Sequence, residues 1–138
     1  MAISITPNIL LTNIAAFSGN TVSLNVVEKK ERFRIPGITG ALVAFNINGN
    51  SMCPTIKPGD MVICSLLENI KELKENEIYA VVTEQSVWVK RVQHKANEFG
   101  TWTHLQLLSD NHEEYDPFLV NIKDVKKILR VKLKLTGL

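Results

Sequence analysis

The stretch "NGNSMCPTIKPGDMVI", Asn48–Ile63, sets one serine between two turn signals. Asn-Gly-Asn precedes Ser51 and Pro-Gly-Asp follows it, and such residues punctuate the chain because they accept turn geometry. The residues upstream, "ALVAFNIN" (Ala41–Asn48), are mostly apolar, and "MVICSLL" (Met61–Leu67) continues downstream in the same manner. Both read as buried strands. A serine held between rigid turns, with a strand on either side, is a candidate positioned nucleophile. An isolated turn serine is more often a structural hydroxyl. A serine hydroxyl is a weak nucleophile at neutral pH and needs a base within hydrogen-bond reach.

Outward from this loop the chain is a succession of short strand patterns. They cover Thr21–Val27, Glu77–Thr83, Ser86–Gln93, Thr103–Ser109 and Phe118–Ile122. Glu84 and Gln85 separate two of them in the manner of a hairpin turn. "ILRVKLKL" (Ile128–Leu135) alternates: Leu129, Val131, Leu133 and Leu135 share one face, and Arg130, Lys132 and Lys134 the other. It reads equally as a core strand or as part of an interface. Helix signal is sparse; Leu67, Ile70 and Leu73 predict one turn within Leu66–Glu77. Closely spaced strands joined by turns predict a mainly β domain with little helix.

Two kinds of residue could serve as the base. His94, His104 and His112 lack a triad-like acidic partner and read as surface residues. Glu113 and Glu114 are adjacent in a polar loop and read as a solvated face. Lys90 differs, because in "SVWVKRVQ" strand alternation puts it on the face of Trp88 and Val92. Burial disfavours the ammonium form. A base working near pH 7 needs the ordinary lysine value of about 10.4 lowered by about 3, roughly 4 kcal/mol. Ser-Lys pairs are a known variant of triad chemistry. The plain alternative is that Lys90 reaches past Trp88 to solvent.

The whole chain bounds these readings. Its 138 residues fit one domain with a sizeable core. Hydrophobic residues at 45% and charged residues at 22% give a globular composition. A net charge of +2 is too small to argue for a nucleic-acid surface. No apolar run approaches the roughly 18 residues of a membrane span, and "MAISITPNILL" is a poor signal peptide. The expected location is therefore the cytoplasm, with no membrane partner. Cys53 and Cys64 lack metal-type spacing, so no metal or other cofactor is expected and reduced thiols are the default.

Three ordered motifs together resemble the LexA-like self-cleaving serine peptidase family. The family includes the C-terminal domains of SOS and phage repressors and the UmuD accessory proteins, and its fold is related to that of signal peptidases. "GNSMCPTIKPGDMVI" matches the serine motif, "VWVKRV" the lysine motif, and "SDNHEEYDPFLV" a third box. The Ser51-to-Lys90 spacing fits, and the resemblance spans about Ile14 to Leu135. It implies a mainly β fold of several curled sheets that dimerises. It implies Ser51 as nucleophile and Lys90 as general base, with Asn50 and Met52 contributing to the oxyanion site and groove. Asp110, Asn111, Tyr115 and Pro117 would organise a loop.

The same resemblance implies a division into residues 1–20, carrying a self-cleavage region, and a peptidase and dimerisation domain over 21–138. Family repressors cut an Ala-Gly bond at about the position of Ala16; here Phe17 follows Ala16. Cleavage at Ala16-Phe17, cleavage nearby at Ser18-Gly19, and no cleavage all remain open. Family repressors also carry an N-terminal helix-turn-helix, which nothing before Ile14 could supply. This favours a fragment of a longer regulator that reaches DNA only through that absent domain. The expected partners are a second copy of the chain and, as a trigger, the RecA filament. A non-catalytic pairing module and a UmuD-like accessory to translesion synthesis are the alternatives. Signal-peptidase-like processing would need a membrane anchor.

Overall fold

The computed structural model describes residues 9–11, 32–37, 40 and 42–138. The strand predicted at Thr21–Val27 lies outside these residues. So does most of the 1–20 segment, Ala16 and Phe17 included. Among the described residues there are nine strands: β1 (Ile9–Leu11), β2 (Arg32–Phe33), β3 (Leu42–Asn46), β4 (Met61–Leu66), β5 (Ile78–Val82), β6 (Val87–Ala96), β7 (Trp102–Leu108), β8 (Phe118–Asn121) and β9 (Lys127–Leu135). They hydrogen-bond in one continuous series, β2-β1-β3-β4-β9-β5-β6-β7-β8. The fold is mainly β, as the strand patterns predicted.

Helix among the described residues is confined to two 3-10 turns, Ile70–Glu72 and Ile122–Asp124. Each is started by an asparagine side chain accepting a backbone N–H, Asn69 from Lys71 and Asn121 from Lys123. The turn predicted within Leu66–Glu77 is the first of these. The β5–β6 hairpin also follows the prediction: Val82 opposes Val87, and Thr83 N–H donates to Ser86 C=O at 2.9 Å, leaving Glu84 and Gln85 at the tip.

Alternation sends successive side chains of the central strands into two cores. Ala80 and Val82 of β5 pack with Val43, Phe45, Met52 and Val62. Tyr79 and Val81 pack on the opposite side with Val92, Leu105 and Leu107. In β9, Leu129 enters the first core and Ile128 the second. Strands buried on both faces read as unbroken apolar runs, which explains the composition of Ile78–Val82. Each fully buried leucine or valine contributes about 1.5–3 kcal/mol.

β9 lies between β4 and β5, inside the sheet. Its predicted apolar face is only partly covered: Leu129 is fully buried, Val131 packs against the first core, and Leu135 is exposed. The pairing with β4 slips between Ile63 and Cys64, so Ile63 opposes Leu133 and Cys64 opposes Val131. Lys132 is the residue skipped, and it is exposed. Such a bulge bends the strand and increases its twist.

Candidate active site

The serine loop joins β3 to β4 and is closed at its neck by backbone pairing. Ile47 N–H donates to Asp60 C=O at 2.8 Å, and Gly59 N–H donates to Ile47 C=O at 2.7 Å. Gly59 has φ 92°, a conformation that disfavours any side chain, so the Pro-Gly-Asp turn needs glycine there. Asp60 is buried, and its carboxylate accepts the Lys57 N–H at 2.8 Å. That bond, assisted by Thr136 and by the Lys134 ammonium at 3.9 Å, holds the Asp60 carboxyl below its ordinary range despite burial.

Within the loop, Cys53 N–H donates to Asn50 C=O and Ile56 N–H to Met52 C=O. The Cys53-Pro54 peptide is cis. Met52 and Ile56 drop into the first core and pin the loop from beneath. Ser51 is left half-buried at the surface of this anchored turn.

Lys90 lies in β6 and is only 6% exposed, so it does not reach out to solvent. Burial lowers its pKa from the ordinary lysine value. Its Nζ donates to Ser109 Oγ at 2.7 Å and lies 5.2 Å from the centre of the Tyr115 ring. Ser51 and Lys90 line one cleft of about 200 Å³, together with Met52, Asn48, Gly49 and Val89 among others. Asn50 is not part of its wall. The Asn50 carbonyl accepts from Cys53 and from Asn111 Nδ2, and its Oδ1 accepts from the Tyr115 hydroxyl at 2.6 Å.

The "SDN" box braces these two parts. Asp110 accepts from Arg91 Nε at 2.7 Å and from Nη2 at 3.1 Å, and also from the Thr55 hydroxyl. Partial burial opposes its ionisation, but the Arg91 and Thr55 bonds outweigh that and hold the carboxyl below its ordinary range. Asn111 N–H donates to Ser51 C=O at 3.0 Å. The residue beside Lys90 is thus tied through one carboxylate to the serine loop. Pro117 is exposed and precedes β8.

The histidines lie elsewhere. None lines the cleft: His94 stacks on Trp102 and pairs with Glu75, His104 contacts Thr103, and His112 is exposed. Glu113 and Glu114 are exposed. Cys64 is buried, which pushes its thiol up to about 12 and leaves it inert at neutral pH. A larger cleft of about 440 Å³ beside β8 contains neither Ser51 nor Lys90. No described helix is long and apolar enough to cross a membrane.

Like Thr55 and Arg91, Ser109 is a site residue that motif reading passed over. It is buried and is the partner of Lys90. The folded strand register brings the two together: Leu108 opposes Arg91, so the next rung sets Ser109 against Lys90.

Comparison with known proteins supplies an independent line. Residues 9–131 match the family model described as Peptidase S24-like. An uncharacterized HTH-type transcriptional regulator of Haemophilus influenzae is 38% identical over 84 residues, which is 61% of this chain. The match covers 32% of that regulator, so the chain spans about a third of its length.

Proposed function

Because the chain belongs to the Peptidase S24-like family, we propose that it is the self-cleaving, dimerising domain of a LexA-like transcriptional regulator. The carrying observation is a half-buried serine and a buried lysine with lowered pKa in the wall of one cleft. The helix-turn-helix regulator among its relatives supports the regulatory context. In this reading DNA contact belongs to a separate helix-turn-helix domain, the RecA filament triggers cleavage, and the protein works in the cytoplasm.

The chemistry is acyl transfer. Ser51 Oγ attacks the scissile carbonyl carbon as its proton passes to the neutral Lys90 amine. Backbone N–H groups of the anchored turn at Ser51 and Met52 stabilise the oxyanion, with Asn50 bracing that turn. Collapse breaks the C–N bond, and Lys90 returns the proton to the leaving amine. Water then hydrolyses the ester at Ser51, again with Lys90 as base. No cofactor is required.

The test is incubation of the chain across pH 7–10 with mass analysis, beside Ser51→Ala and Lys90→Met. Cleavage within 15–19 that accelerates with pH and vanishes in both variants is expected. An intact wild-type chain after several days at alkaline pH would overturn the catalytic reading. One observation favours a second reading, a non-catalytic pairing module: Phe17 stands where a small residue would let the segment approach closely.

A further inference from the structure

We propose that Ser109 is the positioning residue of the Lys90 amine, holding it by one N–H so that its other two positions are directed toward the Ser51 cleft. The inference rests on the Ser-Lys reading above and assigns a role to a residue outside the dyad.

The geometry is specific. Lys90 Nζ donates to Ser109 Oγ at 2.7 Å, and the two residues are only 6% and 7% exposed. Leu108 opposite Arg91 fixes the rung that brings them together. Ser109 does not line the cleft, whereas Ser51 does, so substrate meets the Ser51 hydroxyl and not this one. Ser109 also opens the box whose next two residues clamp the serine loop through Thr55 and the Ser51 carbonyl. The lysine anchor and the loop brace therefore come from one three-residue stretch.

A neutral amine has two N–H groups and one lone pair on a freely turning bond. The lone pair must face Ser51 for the amine to take its proton. A donated N–H to Ser109 removes one of three positions and restricts that rotation. When the proton arrives, the Ser109 contact becomes charge-assisted and therefore stronger. It thus favours the state in which Ser51 is losing its proton, which is the condition for acceleration.

Other groups on the described residues lie around the amine. The Tyr115 ring faces it from the loop after β7. Tyr79 opposes Lys90 in β5, and its hydroxyl accepts the Lys74 N–H. The Asp110 carboxylate is engaged by Arg91 and Thr55. No other described residue lining the cleft is charged.

The experiment compares Ser109→Ala, Ser109→Cys and Ser109→Thr in the intact chain, each also in a Ser51→Ala background. The first readout is self-cleavage rate against pH. The second is the titration of Lys90, followed by NMR of 13C-labelled lysine in the uncleavable background. Ser109→Ala is expected to slow cleavage about tenfold and to move its alkaline rise down by about one pH unit, because the ammonium has lost an acceptor. Lys90 titrates lower by the same amount, and Ser109→Thr restores both. Ser109→Cys carries the same test if the alanine variant fails to fold, since its thiol is a weak acceptor of similar size.

A variant slower at every pH with no displacement of the limb marks a merely structural serine and overturns the proposal. An acyl adduct mapping to Ser109 overturns it too. If the wild-type chain does not cut at all, the proposed function fails by itself. The Lys90 titration then decides the Ser109 inference alone, and an unchanged titration refutes it.

Discussion

At the scale of the residue, Lys90 illustrates what burial does to an ammonium group. Its folded pKa is depressed, so the unfolded chain binds more protons between that value and the ordinary 10.5. Stability therefore rises with pH across this window. Below it the domain carries the full cost of a desolvated ammonium. Lys90→Met is expected to be more stable than wild type at neutral pH, by about 1 kcal/mol or roughly 4 °C. The margin should narrow as pH approaches 10.5; thermal melts from pH 7 to 10.5 measure this, and a margin constant with pH would refute it. The lysine was legible as a base candidate because it interrupts an apolar face in "VWVKRV". Its hydrogen-bond partner was not, because the pairing register of two strands is a tertiary fact that neither strand states alone.

At the scale of the element, the serine loop is held by its neck and by the box that follows β7. The neck was readable in sequence: Pro-Gly-Asp announces a turn, and Gly59 occupies the left-handed region that such a turn requires. The brace was not readable, because Thr55, Arg91 and Asp110 are far apart in the chain and meet only after β6 and β7 pair. Asp110→Asn replaces one acceptor oxygen with an amide that cannot serve both Arg91 and Thr55. The expected cost is about 1–3 kcal/mol, read by urea unfolding. The native carboxyl is held below its ordinary range, so its contribution is present above about pH 4 and fades as pH falls through the lowered value. The difference between Asp110→Asn and wild type should shrink at acid pH. A difference equal at pH 7 and pH 3 would show that the ion pair contributes nothing.

At the scale of the molecule, two cores meet across the central strands, and Leu129 of β9 is buried without any exposure. Leu129→Ala is expected to cost 2–5 kcal/mol, about what a large core truncation costs elsewhere. Calorimetry should show a single displaced transition if the cores unfold together, whereas two separated transitions would show them to be independent. The alternation of Ile128–Leu135 revealed a strand but not its place. Central and peripheral strands can share the same pattern, and the order β4-β9-β5 depends on partners far upstream.

That placement makes β9 a keystone. Among the described strands it alone bridges the halves of the sheet, since β4 and β5 both touch β9 and are not neighbours in the strand order. Without Lys127–Leu135 the two halves have no shared ladder to join them. The Ser51 loop hangs from the β4 arm and Lys90 from the β5–β6 arm, so the span between their backbones is set by a strand that contributes no wall to the cleft they share.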